Sequence, residues 1–284
     1  MYQLKDKKRM PLNMRLDHTV INVGFRMDIA KTLFENLGFN LTPRGNHSTG
    51  SINHLAIFGN DYLELIGLPK SGKHDRPDIA NASMGINGIV FKTGNAETTY
   101  KHLKNLNFQG LTPKSFSRPV ALEEGIFEAK FRTVTVKPEV FLGGRVYFCE
   151  HFTPELIWRP EWQDHPNGVE KIREFVVVST EPLAEAQSFA KLLMHKKNTG
   201  GQINFDDCKI TVLSESQYRD RFGVLASSLK DRGSIFGGII FKTNNRQQFN
   251  FILDKGVEGV QSQIEKFRTL VRIPSFDTLI EFID

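Results

Sequence analysis

The amino-acid sequence predicts an α+β fold of mixed, largely antiparallel sheets, arranged as two tandem halves that each contain paired βαβββ units. Three observations lead there. Strand-like runs are followed by one helical segment and then by more strands, whereas a parallel repeat would need a crossover helix between each pair. Gly238-Ile239-Ile240-Phe241-Lys242-Thr243 nearly repeats Gly88-Ile89-Val90-Phe91-Lys92-Thr93. Lys266-Phe267-Arg268-Thr269-Leu270 echoes Lys130-Phe131-Arg132-Thr133-Val134 in the same order along the chain.

The first strand runs from Leu16 to Val23, and a helix follows over 27–38, with Ile29, Leu33 and Leu37 four residues apart and Gly38 as its stop. Leu41–Arg44, Ile52–Phe58 and Tyr62–Ile66 then read as three strands between turns rich in Gly and Asn. The order restarts at Gly88–Thr93, where Asn95 caps a helix whose apolar face is Ala96, Tyr100, Leu103 and Leu106. Phe127–Val136, Arg145–His151 and Glu155–Trp158 are its strands. The third unit opens at Arg173–Val178, with Thr180 as cap and Pro182 in the first turn of a helix, and its last clear strand is Cys208–Leu213. In the fourth, Phe249, Ile252 and Leu253 form a helix face and Asp277–Phe282 the closing strand. The chain divides into a flexible lead-in at 1–14, a first half at 15–160, a turn-rich linker at 161–170 and a second half at 171–284.

Composition narrows the function classes. With 39% hydrophobic and 24% charged residues the chain is an ordinary globular protein. Much of the net charge of +5 comes from Lys5, Lys7, Lys8 and Arg9 before the first strand, which is poor support for a nucleic-acid surface. Cys149 and Cys208 form no CxxC pattern, so neither a disulfide framework nor a zinc knuckle is indicated. No membrane span or signal peptide is visible, and a soluble cytoplasmic protein is expected. GxSxG, GxGxxG and GxxxxGK[ST] are all absent. The expected partner is a small-molecule ligand, with neither nucleic acid nor membrane, and at most a second copy of the chain as a homodimer.

Two strands carry potential metal ligands. Alternation puts Leu16, His18, Val20 and Asn22 on one strand face, and Tyr62, Glu64 and Ile66 on one face of another, so His18 and Glu64 share a site if the strands are neighbours. Glu64 in Tyr-Leu-Glu-Leu-Ile is an anomaly, because a buried carboxylate needs a partner or a metal, although an exposed strand face would explain it equally well.

These features resemble the vicinal oxygen chelate superfamily, which includes glyoxalase I, extradiol dioxygenases and bleomycin-resistance proteins, and within it the glyoxalase-like domain proteins. The resemblance lies in Leu16-Asp17-His18, in the turn His47-Ser48-Thr49-Gly50 leading to Ser51-Ile52-Asn53, in Tyr62-Leu63-Glu64-Leu65, in the stretch His151–Trp158, and in His165-Pro166-Asn167-Gly168. It is strong over about 15–170 and architectural beyond. It implies curved sheets forming a cup around a divalent ion, Fe, Mn, Zn or Ni, with open positions for a chelating substrate. His18 and Glu64 would be ligands, and Glu64 could also move a proton. The second unit has no His in its first strand, so His151 is the best third ligand. His47, Tyr62, Glu155 and His165 are candidate substrate contacts, while His54, His74, His102 and His195 read as solvent-facing, loop or helix-surface residues. Arg44, Lys130, Arg132 and Arg145 are candidates for a positive rim, though strand cations usually face water.

In the second half, Phe175 stands where His18 would be and Glu281 has no companion, so one working cup is expected, in the first half. Two functions follow from the resemblance. One is a metal-dependent lyase, isomerase or dioxygenase, and the other a metal-free binding protein of the bleomycin-resistance type.

Overall fold

The computed structural model describes residues 14–72, 74–194 and 200–284, so His195 and most of the expected lead-in lie outside the described residues. The first half contains β1 (Leu16–Asn22), α1 (Met27–Asn36), β2 (Gly45–Asn46), β3 (Ile52–Ile57), β4 (Tyr62–Gly67), α2 (Pro77–Ala80), β5 (Gly85–Lys92), α3 (Ala96–Asn105), β6 (Lys114–Leu122), β7 (Gly125–Thr135) and β8 (Arg145–His151). The second contains β9 (Val169–Ser179), α4 (Pro182–Leu192), β10 (Gln202–Phe205), β11 (Cys208–Leu213), α5 (Glu215–Phe222), β12 (Ser234–Thr243), α6 (Arg246–Asp254), β13 (Gln261–Ile264), β14 (Arg268–Ile273) and β15 (Thr278–Ile283). They build two mixed sheets in the orders β2-β3-β4-β1-β5-β8-β7-β6 and β10-β11-β9-β12-β15-β14-β13. In each, the first strand of one unit lies antiparallel to the first strand of the next, as β1 does to β5 and β9 to β12.

Several local expectations shift. Residues 41–44 are irregular and the short β2 begins at Gly45. Glu155 sits in a 3-10 turn at Pro154–Leu156 rather than in a strand, because Pro154 pre-sets that turn. Thr180 gives its hydroxyl to Gly233 O instead of capping α4. His54 is buried, with Nδ1 bonded to Thr42 O at 2.7 Å.

The helix-bearing faces of both sheets meet in one core. Ile21, Leu63 and Leu65 pack there with Phe34 of α1, and Phe175, Val177 and Phe241 join them from the second half with Phe189 of α4 and Phe249 of α6. Phe39 and Phe58 each stand edge-on to Phe241 at 5.6 Å between ring centres. Fully burying a side chain of this size stabilises by about 2–3 kcal/mol, so such a seam is ample to join the halves.

The duplication is visible in the registers. His18 pairs with Val90, and the ladder skips Asp17 in a bulge before Leu16 meets Phe91. Glu174 pairs with Ile240, and the ladder skips Arg173 before Ile172 meets Phe241. The same bulge therefore sits in both halves, and Glu174, not Phe175, occupies the place of His18. Likewise Val90 pairs with Tyr147 where Ile240 pairs with Glu281. The Lys-Phe-Arg-Thr echo is one residue out of phase: Thr135 pairs with Tyr147, but Leu270 with Glu281. Phe131 accordingly faces a cavity, whereas Phe267 is exposed.

The second cup is filled. A capping box of Ser214 and Gln217 starts α5, which packs Tyr218 and Phe222 against Val176, Val178, Ile240 and Leu279. Gly237 makes room, since a Cβ there would lie 2.6 Å from Val178 and 3.1 Å from the Tyr218 ring. Arg221 then donates to Glu174 at 2.6 and 3.1 Å and to Glu281 at 3.0 Å. Arg221→Met leaves two buried carboxylates short of their shared cation and should cost about 3 kcal/mol in denaturant unfolding. A second prediction concerns the seam. Asp61, at the start of β4, accepts from Ile172 N–H at 3.2 Å and is pushed up to about 8, by burial first and by Asp207, against the bond from Ile172 and the charges of Lys92 and Lys171. The folded state thus keeps a proton that the unfolded chain releases near pH 4, and stability drains away as pH rises from there to about 8. Asp61→Asn keeps the acceptor, so in thermal scans it should raise Tm by about 5 °C or more at pH 8 and change it little at pH 4.

Candidate functional site

The bulge in β1 brings two consecutive side chains, Asp17 and His18, to the same side of the sheet. Asp17 is fully buried, and its Oδ2 accepts from His18 Nδ1 at 2.7 Å and from His151 Nε2 at 3.0 Å. Burial alone would raise its pKa, but the neighbouring His151 and His18 outweigh this and hold the carboxyl well below the usual range. Because Nδ1 donates to Asp17, His18 presents Nε2 to the cavity, 3.2 Å from Tyr147 Oη and 3.6 Å from Glu64 Oε2. The ring lies on Tyr62, its pairing partner in β4, at 4.2 Å and 13°.

Glu64 follows two residues along β4. Asn53 Nδ2 on β3 donates to its Oε1 at 2.7 Å, leaving Oε2 toward His18. Burial opposes its ionisation, but His18, His47 and the Asn53 bond prevail and lower its pKa, so it is a carboxylate at neutral pH. His47 bonds through Nε2 to Asn53 Nδ2 at 3.2 Å and through Nδ1 to Ser51 Oγ at 2.8 Å. Its pKa falls to about 4, through burial first, with Arg118 and Arg76 adding to the effect against Glu64, so it is neutral.

These groups floor a cavity of about 1240 Å³, with Phe116, Phe131, Arg76, Arg118 and Arg145 among its walls. Cys149 also lines it, but burial pushes its thiol far above the usual range, which removes it as a thiolate nucleophile.

The structure brings His18, Glu64, His47 and Tyr62 into this one cavity. His151 does not line it, because its Nε2 is committed to Asp17 and its ring packs behind the floor, 4.9 Å from Trp158. Asp17, Cys149 and His151 do offer donor atoms within 4.8 Å of one another. Glu155 is exposed on its 3-10 turn, away from the cup. His165 accepts from Asn40 N–H at 2.9 Å and donates to Ile57 O at 2.8 Å, buried against Phe39 and Phe58 beside the second half. Of the foreseen rim cations only Arg145 reaches the cavity, while Arg44 pairs with Asp28, Lys130 with Glu128 and Arg132 with Glu97.

Residues not foreseen matter as much. Asp17 was legible only as the neighbour of His18, since strict alternation sends it to the far face. Arg118 lies on β6, where Phe116, Arg118 and Val120 do alternate, but Pro119 and the serines disguise the strand. Tyr147 occupies the place across from Val90.

A divalent ion would meet an imidazole nitrogen and a carboxylate oxygen, each held from behind by a hydrogen bond, which is the usual way such ligands are oriented. Among the described residues no further His, Asp, Glu or Cys completes a three-donor group with that pair. The donor set therefore fits an ion held by two protein ligands, with the remaining positions left to substrate and water.

A profile of the Glyoxalase-like domain family matches residues 16–193. No curated protein matches the sequence. Among solved structures, a hypothetical protein from Staphylococcus aureus is similar at TM-score 0.64 and 11% identity, over 95% of this chain and 98% of that one. A triple mutant of 4-hydroxymandelate synthase from Streptomyces coelicolor is similar at TM-score 0.57 and 12% identity, over 96% and 93%. A fusion of a xylose isomerase-like TIM barrel with 4-hydroxyphenylpyruvate dioxygenase is similar at TM-score 0.58 and 11% identity, over 99% of this chain and 51% of that one. No helix among the described residues is long and apolar enough to cross a membrane. The family match over most of the chain, on the two-sheet frame described above, places this protein in the glyoxalase-like domain family of the vicinal oxygen chelate superfamily.

Proposed function

We propose that the protein is a divalent-metal-dependent enzyme, a lyase, isomerase or dioxygenase, acting on a small oxygen-bearing molecule in the first cup. The observation that carries this is the approach of His18 Nε2 to Glu64 Oε2 at 3.6 Å, at the cavity floor. His18 and Glu64 would hold the ion, Fe, Mn, Zn or Ni, which when bound stabilises negative charge on a substrate oxygen. The chain's own residues supply the rest. Asp17 fixes the tautomer of His18, and Asn53 leaves one oxygen of Glu64 free to take or return a proton. Tyr147, whose hydroxyl keeps its proton because burial and Glu64 raise its pKa, can donate a hydrogen bond to a substrate oxygen. Two neighbours in fold bear the names of a synthase and a dioxygenase of 4-hydroxyphenyl compounds, in keeping with this class.

A metal-free binding protein is the second reading. It is favoured by Gly88 and Tyr147, which hold in the second unit the register positions that His18 and Glu64 hold in the first.

Calorimetry with Fe(II), Mn(II), Zn(II) and Ni(II) separates the two. Wild type should bind one equivalent, and Glu64→Gln should weaken binding by about tenfold or more while the fold persists, because an amide is a poor ligand. No heat from wild type with any of the four ions would make the binding-protein reading the correct one. Asp17→Ala leaves two buried imidazole N–H groups without an acceptor, so it should cost about 3 kcal/mol in urea unfolding and reduce metal affinity by about tenfold to a hundredfold.

A further inference from the structure

Two of the three arginines that line the cup are paired with a carboxylate of the protein. Arg76 and Arg145 share the Asp78 carboxylate, at 2.8 and 3.1 Å. Arg76 also donates to Ser51 Oγ at 2.9 Å, and Arg145 to Asn87 Oδ1 at 2.8 Å. Arg118 is different. It is only 4% exposed, it makes no salt bridge among the described residues, and its Nη2 is buried without a hydrogen-bond partner there. A guanidinium stays charged under such conditions, and a buried cation without a carboxylate in direct contact is costly.

The fold makes space for this cation deliberately. A Cβ at Gly45 would lie 2.9 Å from Arg118 Cδ and 2.2 Å from Asn53 Oδ1, so only glycine lets β2 pass over both side chains. Asn53 Oδ1 and Arg145 Nη2 are likewise buried without partners, and all three residues line the same cavity. Beside Arg118 on β6 stands Phe116, stacked on Phe131 of β7 at 5.1 Å and 19°, and both rings face the cavity.

We infer that the molecule bound in the first cup carries an oxyanion, a carboxylate or a phosphate, that docks on Arg118 and is joined to a flat apolar body lying against Phe116 and Phe131. A guanidinium takes either group through two parallel hydrogen bonds, which would satisfy the orphan Nη2. The inference rests on the cup being the substrate site. It is independent of whether a metal is held there.

The test is calorimetry on the full chain with phenylacetate, phenyl phosphate and the neutral phenylacetamide as probes. Wild type should prefer at least one of the two anions over the amide by about tenfold or more, and which anion leads identifies the group. Arg118→Met should abolish that preference, and Arg118→Lys, which keeps the charge without the fork, should restore part of it. With no ligand present, Arg118→Met should raise Tm, since it removes an unpaired buried charge. Equal affinity of wild type for acids and amide overturns the inference, as does an Arg118→Met variant that keeps the preference or loses Tm. If the methionine variant does not fold, the wild-type comparison and Arg118→Lys still decide. Divalent-ion binding by Arg118→Met, measured separately, should be retained or tightened, so failure of the metal reading and failure of this one remain distinguishable.

Discussion

The first cup depends on one buried anion. Asp17 has no contact with solvent and is held ionised by two imidazoles, His18 from its own strand and His151 from β8. Between β1 and β8 lies β5, so the bond to His151 reaches across a strand and ties the two units of the first half together. Removing the bulge would turn Asp17 into the core of the halves, where Leu16, Ile21 and Phe91 pack, and no partner awaits it there. The backbone irregularity, the buried carboxylate and the orientation of His18 are thus one constraint seen at three scales.

The second half shows the same frame resolved differently. Arg173 occupies the bulge where Asp17 stands, Glu174 replaces His18 and Glu281 replaces Tyr147. These carboxylates face inward like their counterparts, but α5 delivers Arg221 between them and fills the remaining volume with Tyr218 and Phe222. There the protein answers its own buried carboxylates with Arg221. Where Arg118, Arg145 and Asn53 keep orphan atoms around an open cavity, the missing partner must come from outside.

Much of this could be read from the chain. Period-two alternation and the repeated Gly-Ile-x-Phe-Lys-Thr segment suffice for the mixed sheets, and parity alone brings His18 toward Glu64. What escaped detection has physical causes. Alternation cannot reveal a bulge, so Asp17 looked as if it faced away and Phe175 looked equivalent to His18. Parity puts His151 on the face of Tyr147 but says nothing of depth along the strand, and the anion beneath it claims its ring nitrogen. β6 and α5 are written in polar residues because each has a face that meets charge rather than hydrocarbon, which weakens the very periodicity by which strands and helices are recognised.

The second half also bears on the first cup. Asn53 and Glu64 sit on β3 and β4, and the turn between those strands is fastened from the other side. Ile172 N–H bonds Asp61 where β4 begins, and His165 bonds Ile57 O where β3 ends. Asn167, next along the connecting segment, donates to Leu37 O at the end of α1. The segment His165-Pro166-Asn167-Gly168 is therefore a clamp whose side chains stitch the first half to the first strand of the second. A carboxylate that must present one oxygen at a fixed place tolerates little drift in its strand, and a filled, well-packed second sheet is a stiffer backing than a second open cup would be. The two copies of the duplicated frame thus differ in one respect, that the first encloses an open cavity and the second is filled and packs behind it.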